Sequence, residues 1–177
     1  RRLKCWGDNR NGQLGYGDLR RRGAKANTMG ANLPFVDLDT PNVRYVAAGK
    51  CHACAIVESW QVKCWGCNRY GQLGYGDTED RGDDEGEMGE DLRAVDLGPG
   101  VLAVSLTAGD SNTCAVLSTG GLKCWGDYLS IGSGDKENVG DLPDEMGSAL
   151  AEVDLGTGET VLAVNEPSPV LQIPPPP

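Results

Sequence analysis

The stretch Leu3-Lys4-Cys5-Trp6-Gly7 comes back as Val62-Lys63-Cys64-Trp65-Gly66 and again as Leu122-Lys123-Cys124-Trp125-Gly126. Cys5 to Cys64 is 59 residues and Cys64 to Cys124 is 60. A fixed period of this size restricts the chain to an array of like supersecondary units, because one such unit cannot bury its own apolar face and must stack on a neighbour. The period outranks any local signal and points to a fold and a class of function, without naming a partner.

Within the period the order of signals is constant. After Cys-Trp-Gly comes a glycine-rich loop, Asp8-Asn9-Arg10-Asn11-Gly12-Gln13-Leu14-Gly15-Tyr16-Gly17-Asp18, matched by Cys67-Asn68-Arg69-Tyr70-Gly71-Gln72-Leu73-Gly74-Tyr75-Gly76-Asp77. So many glycines argue against a helix, and the loop is expected to be compact, with its Leu and Tyr turned back onto the core. From the closing Asp to the next strand signal is 18 positions in each unit: Asp18 to Val36, Asp77 to Val95, Asp135 to Val153. Short strands are then expected at Val36-Asp37-Leu38, at Val43–Ala48 and at Cys54–Val57 leading by a tight turn into Val62–Trp65, with counterparts 95–97, 101–104, 114–117 and 122–125. Four short strands in about 60 residues is the pattern of a propeller blade.

The third unit is eroded. Its loop is shortened to Ile131-Gly132-Ser133-Gly134, the strand expected after Val161–Val164 does not follow, and Pro174 stands where the period places a cysteine. The reading is an all-β chain: an array over 1–164 (units 3–61, 62–121 and 122–164) and a Pro-rich tail over 165–177 that favours extended polyproline.

These units resemble the repeat of the regulator-of-chromosome-condensation family. The resemblance rests on Trp6-Gly7-Asp8-Asn9 with Gly12-Gln13-Leu14-Gly15, on Trp65-Gly66 with Asn68 and Gly71-Gln72-Leu73-Gly74, and on Ala47-Ala48-Gly49 with His52 and Cys54-Ala55. It implies a β-propeller, here a partial one of about three four-stranded antiparallel blades where family members have more. A partial array leaves strand edges and a flank uncovered, so the missing blades or another protein are expected to cover them.

The cysteines carry the clearest chemistry. Cys54 and Cys64 lie symmetrically about Ser59, and Cys114 and Cys124 about Thr119, each pair facing across a hairpin. A disulfide at each is the natural expectation. Cys51 and Cys67 share the centre at residue 59 and are candidates for a further bridge. The four together also have the outline of a zinc site, Cys51-x-x-Cys54 with Cys64-x-x-Cys67. The inner pair recurs without the outer one in the next hairpin, which favours disulfides. Hairpin spacing puts the partner of Cys5 about ten residues upstream, in a preceding strand of a longer chain or of another molecule. Disulfides imply an oxidising compartment: secreted, periplasmic or an organelle lumen.

Charge narrows the partners. The net charge is −10, yet residues 1–25 hold eight basic and two acidic residues, leaving −16 for the rest. Nucleic acid is therefore not an expected partner, since binding it needs a basic face. Arg20-Arg21-Arg22 is a candidate docking patch for an acidic partner, against the plainer alternative of a solvated loop. No apolar run reaches the ~18 residues that span a bilayer. The acidic run from Asp77 to Glu87 fails as a calcium loop, with Arg81 and Met88 at ligand positions. It contains Arg81-Gly82-Asp83, a triplet that some adhesion receptors read. Trp6, Trp65 and Trp125 recur in register and are expected to serve as repeat core or inter-blade packing and not as a ligand cage. The single histidine, His52, aligns with Asn112, and no base, triad or dinucleotide fingerprint is present.

The expectation is a non-enzymatic scaffold or protein-interaction module without cofactor, an accessory subunit or fragment that docks on a larger assembly through its loops or open face. The alternatives are nucleotide exchange on a small GTPase, which the resemblance implies for some members, and a zinc protein built on Cys51, Cys54, Cys64 and Cys67.

Overall fold

The computed structural model describes residues 1–134 and 136–161. Asp135, the remainder of the apolar segment after Val161 and the Pro-rich tail lie outside the described residues. Two antiparallel sheets of three strands make up the array. The first holds β1 (Val43–Ala48), β2 (His52–Val57) and β3 (Val62–Gly66) in that order. The second holds β4 (Ala103–Ala108), β5 (Asn112–Leu117) and β6 (Leu122–Gly126).

The central strands read as continuous apolar runs because both of their faces are covered: every residue of β2 is buried. The first strand of the first sheet, at the edge, alternates instead. Each β2–β3 type hairpin closes through a three-residue turn whose last residue takes positive φ, Gly120 (+88°) in one and Trp60 (+63°) in the other. That common turn sets the register, placing Cys54 opposite Cys64 and Cys114 opposite Cys124.

The segments expected as a fourth strand are strand-like for a single hydrogen bond. Val95 N–H donates to Val62 O (2.8 Å), Val153 N–H to Leu122 O (2.8 Å) and Val36 N–H to Leu3 O (2.9 Å). Pairing stops there for a local reason. The carboxylates of Asp37, Asp96 and Asp154 accept the amides two residues on, Asp39, Gly98 and Gly156, and turn the chain away. The sheets also straddle the sequence period: β3 and β6 open their units in sequence, yet each completes the sheet begun in the preceding unit. Residues 3–7 match β3 and β6 in sequence and form no strand, only the isolated bridge of Gly7 to Arg22, as Gly66 is bridged to Arg81 and Gly126 to Val139.

Consecutive blades meet along seams built from the same bonds. Trp65 Nε1 donates to Gln13 O and Trp125 Nε1 to Gln72 O, both at 3.0 Å. The buried Lys63 ammonium donates to Leu38 O (3.1 Å) and Gly89 O (3.0 Å), and Lys123 to Leu97 O (2.8 Å) and Gly147 O (2.9 Å). Gly89 N–H reaches Asp37 O, and Gly147 N–H reaches Asp96 O. The loops must approach closely for this: a Cβ on Gly15 would lie 2.8 Å from Trp65 Nε1, and one on Gly74 2.7 Å from Trp125 Nε1. Both glycines also hold positive φ, so the motif needs glycine there twice over.

Candidate interaction surface

The glycine-rich loops are internally braced and face the seams. Asn9 and Asn68 each span their loop, the side-chain oxygen accepting from Leu14 N–H or Leu73 N–H and the amide donating to Asp18 O or Asp77 O. Tyr16 and Tyr75 turn back as expected, their hydroxyls accepting from Cys5 N–H and Cys64 N–H and donating to the same residues' carbonyls. These loops therefore serve packing between blades.

At the N-terminal flank the internal pattern is interrupted. Trp65 and Trp125 are fully buried, whereas Trp6 is 62% exposed. Around it lie Gly23 and the half-exposed Met29. Val46, whose counterpart Leu106 is buried, is likewise open. Arg2 and Lys4 both lie over the Phe35 ring, 3.8 and 4.6 Å from its centroid.

The three arginines at 20–22 differ in their partners. Arg22 forms a bidentate pair with Asp18 (2.8 Å to each oxygen) and stacks on Tyr16. That pairing holds the Asp18 carboxyl below its ordinary range. Arg21 reaches Asp8 at 3.0 Å, and Arg20 has no side-chain partner among the described residues. Exposed positive charge here comes from Arg20 and Arg21, together with Arg1, Arg2 and Arg10.

The structure brings the six paired cysteines together within hairpins. Cα–Cα distances are 4.0 Å for Cys54–Cys64, 4.0 Å for Cys114–Cys124 and 5.5 Å for Cys51–Cys67, with the sulfurs bonded pairwise. Four sulfurs so joined offer no thiolates to a zinc ion. Cys5 is unpaired among the described residues, and burial pushes its thiol up to about 11.

His52 is buried at the seam between the two sheets. Thr113 Oγ1 gives its proton to Gln72 O (2.8 Å), so His52 Nε2 is the donor to Thr113 Oγ1 (3.0 Å) and Nδ1 carries the lone pair. Nδ1 has no hydrogen-bond partner among the described residues, and burial holds the imidazole at about 4. A neutral, enclosed ring of this kind braces the seam and does not reach a substrate.

The acidic loop is also structural at its centre. The Glu87 carboxylate accepts the amides of Gly82, Asp83 and Asp84 (2.8, 3.2 and 3.1 Å), and Glu145 holds Gly140 and Leu142 in the same way. Arg81 is committed to Asp77 at 2.8 Å, and the Gly82–Asp83 backbone packs on Gly12. The Arg81-Gly82-Asp83 triplet is thus built into a seam and is not presented on a loop tip. Burial, with Glu87 next, raises the Asp83 carboxyl above its ordinary range.

Sequence reasoning missed the seam lysines. Alternation along the strand suggests a solvated side chain, and only the recurrence of Lys4, Lys63 and Lys123 in all three stretches signals a fixed role.

Comparison with known proteins agrees with this geometry. The Regulator of chromosome condensation (RCC1) repeat matches residues 43–72 and 103–127, the two segments that hold the complete hairpins. The Ultraviolet-B receptor UVR8 of Arabidopsis thaliana is 32% identical over 125 residues, covering 69% of this chain and 27% of the receptor. The guanine nucleotide exchange factor SRM1 of Saccharomyces cerevisiae is 30% identical over 147 residues, covering 70% of this chain and 30% of that protein. The chain thus spans under a third of either relative. Among solved structures, Prp20p from Saccharomyces cerevisiae superposes with a TM-score of 0.57 at 22% identity, covering 90% of this chain and 36% of that one. Matching repeats, hairpins and blade seams together place the chain in the regulator of chromosome condensation repeat family, as a part of its β-propeller.

Proposed function

We propose that this chain is a non-enzymatic protein-binding module that docks through its open N-terminal flank within a larger assembly. The observation that carries the reading is Trp6: 62% exposed where its two counterparts are fully buried by a neighbouring loop. An exposed indole beside Met29, in a segment (residues 1–25) that carries a net +6, is a surface that gains from a partner presenting apolar and acidic groups. The three cysteine pairs support work in an oxidising compartment. A pull-down with the 177-residue protein and with Trp6→Glu tests this. The expected result is a bound protein whose recovery falls at least tenfold with the variant, and equal recovery with both overturns the reading.

A second reading is regulation of a small GTPase, favoured by the similarity to the exchange factor SRM1. Release of a fluorescent guanine nucleotide from a purified GTPase measures it. Acceleration by the chain supports exchange, and an unchanged rate leaves docking as the function.

A further inference from the structure

The Cys51–Cys67 bridge has no counterpart in the second hairpin, where Ser111 and Asp127 take the same places. The backbone is alike without it: Cys67 N–H donates to Cys51 O and Asp127 N–H to Ser111 O, both at 2.9 Å. The hairpin therefore does not need this bond to take its shape. The three bridges also differ in access. Cys54 and Cys64 are fully buried, Cys114 and Cys124 are buried, and Cys51 is partly exposed. Ser111, which has the first sheet packed before it, is partly exposed as well, so access at this position is a property of the turn. Cys67, by contrast, is buried, and its Sγ accepts from Gln72 Nε2 at 3.2 Å. Gln72 is the hub of the seam between the two sheets. Its carbonyl accepts from Trp125 Nε1 (3.0 Å) and Thr113 Oγ1 (2.8 Å), and through Thr113 it is linked to His52. The bridge thus anchors the root of the loop that carries this hub.

We propose that Cys51–Cys67 is a thiol-exchange site for small thiols and dithiols, and that its state sets how firmly the seam between the two sheets is held. An external thiolate attacks the accessible Cys51 Sγ. A new S–S bond forms there, the Cys51–Cys67 bond breaks, and its electron pair leaves on Cys67 as a thiolate. The Gln72 amide that already donates to this sulfur favours the departing anion. A second external thiolate then takes the first external sulfur from Cys51. The external thiols end as a disulfide, and Cys51 and Cys67 end as thiols after taking up protons from water. The buried Cys54–Cys64 bridge stays closed, so the strand register survives. The loop over 67–77 is then held by hydrogen bonds alone, and its grip on Trp125 and Thr113 loosens. The device lies inside the array and is independent of what docks at Trp6.

Timed reduction of the oxidised 177-residue protein with dithiothreitol, quenched by alkylation and read by peptide mapping, tests the site. Cys51 and Cys67 are expected to open at least tenfold faster than Cys54–Cys64 and Cys114–Cys124. With glutathione in place of the dithiol, the trapped adduct is expected on Cys51. Hydrogen exchange of the selectively reduced protein, kept free of oxygen, tests the consequence. Exchange over 67–77 is expected to rise at least tenfold while β5 and β6 keep their protection. The double variant Cys51→Ser, Cys67→Ser is expected to show the same faster exchange with no reductant. If that variant does not fold, reduced wild type carries the exchange measurement by itself. Simultaneous opening of the three bridges, earlier opening of either inner one, or an adduct confined to Cys67 overturns the proposal. Equal exchange over 67–77 in oxidised and reduced protein does so too.

Discussion

Trp65 and Trp6 occupy the same place in consecutive repeats, five residues of near-identical sequence around each, and yet one is sealed and the other stands in solvent. The difference lies wholly in the neighbour. Trp65 is capped by the Gln13–Gly15 loop of the blade before it, with Met88 alongside. In an array of this kind burial belongs to the junction between units, so the same side chain is core in one repeat and exposed in the next.

The sharpest way to break this comparison is to truncate the indoles. Trp125→Ala should cost about 3–5 kcal/mol in a denaturant melt, the range for emptying a buried aromatic site. Trp6→Ala in the monomeric protein should stay within about 0.5 kcal/mol, as exposed substitutions do. Equal losses for the two would mean that the N-terminal flank is not open.

The two internal seams also differ, because only one contains a histidine. His52 is held near 4, below the ordinary 6.5, so the unfolded chain takes up a proton first as pH falls. The stability this provides is complete above about pH 6.5 and drains away down to about pH 4, by at most about 3 kcal/mol. Denaturant midpoints for wild type and His52→Asn across that range should diverge in slope, the variant being the flatter. Parallel curves would show that the ring titrates freely.

A smaller effect is expected from the lysines. Lys63→Met leaves two buried carbonyls without their donor and should cost about 2 kcal/mol, whereas Lys4→Met, releasing one exposed carbonyl, should cost about 0.5 kcal/mol or less. Thermal melts of the pair measure the seam bond against its unfinished copy. The smallest change concerns Asp83, whose Oδ1 is buried without a partner among the described residues and whose carboxyl is raised by burial and Glu87. Asp83→Asn removes that repulsion and should add about 0.5 kcal/mol at neutral pH. A loss would mean that the carboxylate has a donor in solution.

The recurrence of Leu-Lys-Cys-Trp-Gly made the array and its hairpins legible, and the symmetric placing of cysteines about Ser59 and Thr119 gave the strand register. The loops were legible in outline from their glycines. Besides the seam lysines, three things were not. The Val-Asp-Leu segments look like full strands, and only the aspartate's preference for its own downstream amide ends them after one bond. The boundaries of the sheets are offset from the period, since a repeating sequence does not say where the first strand of a sheet falls. Arg20-Arg21-Arg22 reads as one patch, whereas the structure divides it between Asp8, Asp18 and the solvent.

Among the described residues every disulfide closes within a single hairpin, and none crosses from one blade to the next. Each joins the second and third strands of its sheet or the residues just beyond them, while the first strand, β1 or β4, holds no cysteine. Under mechanical load the covalently closed hairpins should therefore stay whole while the junctions between blades and the first strands give way.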